Sequence, residues 1–295
     1  MAANCPVSGY GGRLGLGQET VADTPVNATT YYEFTSEDMV ANPNIVDATG
    51  VTGLRSHHLN SAFLATLPGG GSFSPIARYT SFLELLEWAK GEADGTLKSL
   101  TAHIDKVGRG LRVSGCKVNE LEVSSSANAH VEVNCSLVGR TPNLMTGGYL
   151  AANYPTMTEG ILAHKHAAVT IGGGIGVLPV YELGFTIQNG LNEDEFTSSM
   201  YRNCVPEGDR SVPVTLTGPF NSDTDGFLDL MVAGTPASVT IVYTDKDANV
   251  ITITMGNVLF TGNMPTIEDR GRVQFTIEGM AKSNNTTEGS EIVIS

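Results

Sequence analysis

The chain is short of positive charge, and that shortage excludes more than any motif does. Seventeen Lys and Arg stand against 31 Asp and Glu, for a formal net charge of −14. Gripping a phosphate backbone takes clustered cations that displace counterions, so the composition argues against nucleic-acid binding. The imbalance is uneven: residues 1–141 hold 14 acids against 10 bases, and residues 142–295 hold 17 against 7. Cysteine is also scarce. Cys5, Cys116, Cys135 and Cys204 are scattered, with no C-x-x-C, and Cys116 and Cys135 fall on the apolar phase of strand-like segments, where a thiol serves as a small core residue. No apolar run approaches the roughly 18 residues that a spanning helix needs. The start, MAANCPVSGYGG, has neither a basic nor an apolar stretch and does not read as a secretory leader. No G-x-S-x-G elbow and no paired carboxylates in an apolar setting are present, so the case for an enzyme is thin.

What the chain does contain, it contains twice. SFLELLEWAKG (Ser81 to Gly91), Asp105-Lys106, LRVSGCKV (Leu111 to Val118) and HVEVNCSLVGR (His130 to Arg140) follow one another in the first half. GFLDLMVAG (Gly226 to Gly234), Asp245-Lys246, ITITMGNV (Ile251 to Val258) and RVQFTIEGMAK (Arg272 to Lys282) follow in the same order in the second. The offset is 145 at Phe82/Phe227, 140 at Asp105/Asp245 and Val118/Val258, 142 at Val131/Val273 and 151 at Phe34/Phe185. Conserved order, apolar phase and near-constant spacing predict two diverged copies of one domain, a normal division for this length. The boundaries expected are 1–145 for the first copy with an N-terminal arm, 146–162 for a linker, 163–283 for the second copy and 284–295 for a C-terminal arm. Each copy is large enough to bury its own core.

The composition, 34 Gly with many Thr, Ser, Asn and Val and only 16% charged residues, points to a mainly β chain. His130 to Val138 alternates, with Val131, Val133, Cys135 and Leu137 on one side and Glu132, Asn134 and Ser136 on the other. Arg272 to Met280 alternates likewise. Leu111 to Val123 slips phase near Gly115, which predicts a β-bulge. Tyr79 to Lys90 recurs at three and four instead, with Thr80 or Ser81 as N-cap and Gly91 as terminator; Asp223 to Val232 repeats the pattern, capped by Asp223 or Asp225 and stopped at Gly234. Lone Trp88 lies on the first helix as a core or rim residue. Ser36 to Asn60 and Gln188 to Ser211 read as long polar loops, and residues 141–162 as a connector.

The remaining motifs resolve into structure. GRLGLG (Gly12 to Gly17) and IGGGIG (Ile171 to Gly176) lack the Lys-Ser/Thr and the following helix of a phosphate loop, and read as hairpin turns. Asn221 to Gly226 resembles the front of a calcium loop, but Val232 occupies the position that needs a bidentate Glu, so helix capping explains it better. Asp245 to Asn249 sits between VTIVY and VITIT as a hairpin turn. His57-His58 and His164-Lys165-His166 lack the cysteine or spaced carboxylate of a metal site. No cofactor is expected. A duplicated, strand-rich chain with free arms points instead to self-assembly, by strand addition and head-to-tail ring closure.

The residues GRLGLGQET, SFLELLEWAKG, Gly115-Cys116-Lys117-Val118 with ELEVSS behind it, HAAVTIGG (His166 to Gly173), FTIQNGLNEDEF (Phe185 to Phe196), VTLTGPF (Val214 to Phe220) and FTIEGMA carry a further signal. Taken in order over residues 9 to 283, they resemble the tail tube proteins (major tail proteins) of long-tailed bacteriophages, of the duplicated-domain type. That resemblance implies two tandem tail-tube-like β-sandwich or barrel domains, each with one short flanking α-helix. It implies a structural virion protein, not an enzyme, assembled in the bacterial host cytoplasm. Single-domain relatives form rings of six, so two copies per chain imply homotrimeric rings with pseudo-sixfold symmetry, stacked into a tube. Viral DNA would pass a negatively charged lumen without specific binding and no membrane would be involved. Tape measure protein inside, and tail terminator and tail-tip proteins at the ends, are the implied partners. Inter-subunit or inter-ring contacts are expected at Asp38, Asn44, Asp47 and Arg55 and at Asn192, Glu193, Asp194, Glu195, Tyr201 and Arg202. The alternatives are the inner tube of a contractile injection machine, another tail or baseplate component, or a monomeric β-sandwich binding module.

Overall fold

The computed structural model describes residues 9–48, 59–106, 108–146, 155, 157–221, 224–262, 264–265, 273–284, 287 and 289–295. Cys5, Arg55, His57, His58 and Asp223 lie outside them. The first half runs β1 (Arg13–Gln18), β2 (Thr30–Tyr32), β3 (Phe34–Glu37), β4 (Val40–Ala41), β5 (Asn44–Asp47), β6 (Ala62–Thr66), β7 (Gly69–Pro75), α1 (Tyr79–Lys90), β8 (Leu100–Asp105), β9 (Arg109–Ser126), β10 (Glu132–Gly139) and β11 (Thr141–Thr146). The second runs β12 (Ala167–Ile171), β13 (Gly176–Leu178), β14 (Glu182–Gln188), β15 (Val212–Pro219), α2 (Gly226–Ala233), β16 (Ala237–Thr244), β17 (Val250–Thr261), β18 (Gln274–Lys282) and β19 (Val293–Ile294). Among the described residues the chain is mainly β with two α-helices, as the composition and the alternation predict.

Pairing follows the same order in both halves, antiparallel throughout. β1 lies between β2 and β8, as β12 lies between β13 and β16. β7 lies between β3 and β10, as β15 lies between β14 and β18. β9 pairs with β8 and then β10, as β17 pairs with β16 and then β18. The strand after each of these returns in the same way, β11 to β9 and β19 to β17. Residues 141–146, expected to open the connector, are therefore a strand; their Thr-Pro-Asn sequence carries no apolar alternation to betray it.

β9 is long enough to serve two sheets. Its first part pairs with β8 and β11, and its last part with β10 and β14. The turn between them is the expected bulge: Leu100 faces Cys116 while Ala102 faces Val113, and Gly115 takes φ 64°, a left-handed backbone that costs glycine little. β14 then joins the halves, from Glu182 opposite Ser126 to Gln188 opposite Glu120.

Alternate residues of these strands face inward and bury Leu121, Val123, Val133, Cys135, Phe185, Val214, Leu216, Phe275 and Ile277. Each fully buried Leu, Val or Phe contributes about 1.5–3 kcal/mol. One apolar cluster runs through both halves instead of one core in each. Two links join it: Val123 and Leu121 of β9 pair with Phe185 and Ile187 of β14, and Phe82 of α1 meets Tyr243 of β16 edge-on, with ring centroids 6.0 Å apart. α1 buries Phe82, Leu85, Leu86, Trp88 and Ala89, and Gly91 ends it at φ 76°, donating to Glu87 O. Its N-terminus corrects the sequence reading. Arg78 is the N-cap without a side-chain bond, and the orphan amide of Thr80 donates to Glu159 Oε2 at 3.0 Å. The cap comes from about 80 residues away, which no local pattern could signal. α2 begins at Gly226 with Asp225, one of the two expected caps, at its N-cap though without a side-chain capping bond, and it stops at Gly234 with φ 61°.

GRLGLG is also a correction, since it forms β1 and not a turn. A Cβ on Gly15 would sit 2.7 Å from Ala28 Cβ, and one on Gly17 2.3 Å from Asn27 O, so the glycines admit a crossing segment. IGGGIG does turn, between β12 and β13, and Asp245 to Asn249 turns between β16 and β17.

Candidate lumen and inter-subunit surfaces

The outward side of the paired strands has an unusual chemistry. Register places Ser72 beside Ser136, Ser136 beside Glu120 and Glu120 beside Gln188. Asn134, Glu122 and Thr186 form the next row, and Glu182 stands between Ser126 and Thr217. Thr215 faces Glu278 and Thr217 faces Thr276 across β15 and β18. The face so assembled carries Glu120, Glu122, Glu132, Glu182 and Glu278 among Ser, Thr, Asn and Gln. Segments 72–76, 120–126, 132–136, 182–188, 215–217 and 274–278 contain no Lys or Arg; Lys282 stands beyond them at the end of β18. Shallow depressions on it are lined by Ser124, Ser126, His130, Glu132, Glu182 and Thr217. Such a face presents negative potential and hydroxyl groups, with no Lys or Arg in those segments to hold an anion.

A second surface lies where the halves meet. The loop after β14 continues past the strand ladder and covers the end of α1: Asn189 Nδ2 donates to Ala89 O and to Val118 O, each at 2.9 Å. Leu191 and Val205 of that loop pack with Leu97 and Val138. Arg202 fixes it. Its guanidinium donates to Gly69 O at 3.0 Å, Gly139 O at 2.7 Å and Glu193 O at 2.8 Å, and lies over the Phe196 ring at 5.5 Å. Burial pulls its pKa below the usual arginine range, with Glu193 and Asp194 opposing. At 7% exposure, Arg202 makes its contacts inside its own chain.

The other residues expected at contacts divide by placement. Asn192, Glu193 and Asp194 are exposed on that loop; Asn192 Nδ2 donates to Glu195 Oε1 at 3.1 Å, and Glu195 and Tyr201 are half-buried. Asp38 is exposed in the turn after β3 and accepts the Ser72 amide. Asn44 and Asp47 lie on β5, exposed, with Ser61 Oγ donating to Asp47 at 2.6 Å. Arg55 falls outside the described residues. The two groups reach the same end of the molecule: Leu67 N donates to Met200 O at 2.7 Å.

Ser36 to Asn60 is not the structureless loop expected, because β5 pairs with β6 as a separate two-stranded sheet. That hairpin exposes Ile45 (66%) and Phe63 (58%), with Val46 and Leu64 beside them. The register sets Ile45 beside Leu64 on one face and Val46 beside Phe63 on the other, so both faces of the hairpin are partly apolar and exposed. The glutamate face and this hairpin escaped the sequence reading, although the outward phase of Glu132, Asn134 and Glu278 was its visible part.

Cys116 and Cys135 are buried, and burial pushes both thiols above the ordinary range. His164 is held by Ser125 Oγ at 3.1 Å and Val180 O at 3.0 Å. Among the described residues no group of three or more His, Cys, Asp or Glu is placed to hold a metal, and no helix is long and apolar enough to cross a membrane. A family model described as phage tail tube protein matches residues 9–281. No curated protein matches the chain.

Proposed function

We propose that the chain, which belongs to the phage tail tube protein family, forms homotrimeric rings of pseudo-sixfold symmetry that stack into the tail tube. Membership makes it a structural component of the virion that self-assembles into a tube. The finer reading treats it as two copies of one domain. What supports this is the shared pairing order of the halves and the sequence repeat at offsets of 140 to 151.

The lumen, in this reading, is lined by the face bearing Glu120, Glu122, Glu132, Glu182 and Glu278. The observation that carries it is the absence of Lys and Arg from six consecutive stretches of that face. A polyanion sliding through needs a wall that offers its phosphates no partner, and fixed carboxylates prevent counterion-releasing contacts. The exposed residues Asp38, Asn44, Asp47, Asn192, Glu193 and Asp194 are the proposed contacts to neighbouring copies or rings. Arg202 shapes the loop that presents them. Tape measure protein occupies the lumen before DNA does, terminator and tip proteins close the two ends, and assembly takes place in the host cytoplasm.

Replacing Glu120, Glu122, Glu132 and Glu182 by Lys tests the lumen. The expected result is tubes of normal appearance in electron micrographs with DNA ejection slowed at least tenfold. Normal ejection through such tubes would remove the electrostatic argument and the face assignment with it.

A further inference from the structure

The loop that presents Asn192, Glu193 and Asp194 is tied, through four charged side chains, to a loop near the start of the chain. Resting on the contact reading above, we propose that Glu19, Asp23 and Arg140 are positioning residues for that contact loop. They hold it against residues 19–29, so that the two loops move as one surface.

The connection starts at Glu19, buried just after β1. Its Oε1 accepts from Thr101 Oγ1 at 2.6 Å and from the amide of Gly115, in the β9 bulge, at 3.0 Å. Its Oε2 accepts from Ser99 Oγ and from the amide of Asp23, each at 2.7 Å. Asp23 then accepts from Ser114 Oγ at 2.8 Å and from Thr141 Oγ1 at 3.2 Å. Arg140 lies across the bulge, where a Cβ on Gly115 would sit 2.8 Å from its Cδ. Its Nη2 is 3.7 Å from Asp23 Oδ2, and its Nε donates to the carbonyl of Arg202 at 3.3 Å. Arg202 in turn holds Glu193 O. Each member has partners on both sides, so a change at one end reaches the other through groups in contact.

The second half shows that the fold itself does not need this network. β17 makes the same bulge, with Ala237 opposite Val258 and Val239 opposite Met255. Gly256 within it has open space beside it, and among the described residues no carboxylate bonds there. The connection that answers residues 19–29 is only the turn at 172–175, between β12 and β13. Lys282, which answers Arg140 in the repeat, is exposed. Among the described residues the network thus stands in the one half that the other half's loop crosses, which assigns it to placing that loop and not to closing the bulge. A loop that carries contacts works from a rigid scaffold, and Arg140 supplies one from the link between β10 and β11.

Hydrogen exchange on the free full-length chain tests the positioning, and the concentration needed for assembly tests its use. The amides to follow are Asn192, which donates to Pro206 O, and Asn203, which donates to Glu195 O. Asp23→Asn and Arg140→Gln should each speed their exchange at least tenfold while exchange in β10 and β14 stays unchanged. The double variant should be no faster than the quicker single one, since both break one path. Arg140→Lys keeps a cation between Asp23 and the Arg202 carbonyl and should stay within threefold of the parent. Unchanged exchange at Asn192 and Asn203 in both single variants overturns the positioning role. Exchange that rises equally in every strand also overturns it, since that marks a loss of stability at large. With the loop loosened, assembly should need at least threefold more protein. A faster loop with unchanged assembly leaves the positioning standing and removes Asn192, Glu193 and Asp194 as contacts.

Discussion

The last turns of the two helices make the sharpest comparison in the molecule. Both end at a left-handed glycine, Gly91 and Gly234, and both follow the same strand order. Yet Ala89 is completely buried and Val232 stands 81% exposed. The two positions are not equivalent: Ala89 follows buried Phe82 by seven residues and shares its face, whereas Val232 follows Phe227 by five, where α1 has the exposed Glu87. What α1 adds is a loop from the other half, with Asn189 bonded to its last turn. Burial at a helix end is thus set by which face a residue occupies and by what packs there from the rest of the chain.

Charge insertion breaks the comparison most severely. Ala89→Glu buries an unpaired carboxylate against a packed loop and should cost about 4 kcal/mol or more, so that the chain fails to fold. Val232→Glu should change the stability of the free chain by no more than about 0.5 kcal/mol. Denaturant titration of both variants measures the difference, and equal effects would mean that α2 is not bare in solution. Arg202→Ala comes next. It leaves the carbonyls of Gly69 and Gly139 without their cationic donor and should cost about 3 kcal/mol, read from the same titration. Faster proteolysis between residues 192 and 206 should accompany it, because the loop over the first half loses its anchor.

The smallest effect concerns acid. His103 is buried on β8 with Nε2 2.7 Å from Val26 O. Burial lowers its pKa from 6.5, helped by Arg112 and opposed by the Val26 carbonyl and Asp105. A folded value below the unfolded one means that the unfolded chain takes up the proton first. Its contribution is therefore complete above about pH 6.5 and fades as pH falls toward the lowered folded value. Unfolding midpoints at pH 7.5 and 5.5 should differ in the parent and differ less in His103→Gln, which keeps a donor for Val26. An identical pH dependence in the two would rule His103 out as the source.

Much of this was legible in the order of residues. Gly91 and Gly115 mark a helix stop and a bulge because each permits a backbone that other residues resist. The alternation of β10 and β18 shows because each strand has one buried face. Within 284–295, expected as a free arm, Val293–Ile294 instead pairs with β17 of the same chain. What stayed hidden depends on contacts between distant segments. β1 looks like a turn because its glycines answer the crowding of Asn27 and Ala28. Glu159 caps α1 from far along the chain. The glutamates at 120, 122, 132, 182 and 278 become one face only when five strands are laid side by side, and no window of sequence contains them together.

The ladder between β9 and β14 has a kinetic meaning as well as a structural one. Its strands are held at high effective concentration by the chain itself, so this joint forms at the rate of folding and at any dilution. In the proposed ring of three chains, the joint between the two halves of each chain would then exist before two molecules meet. Closing the ring would immobilise three bodies and not six, and each body saved spares a loss of rotational and translational freedom of about 4 kcal/mol at the least. Carrying both halves on one chain would in that way lower the nucleation barrier for the proposed ring while leaving growth of the tube as dependent on concentration as before.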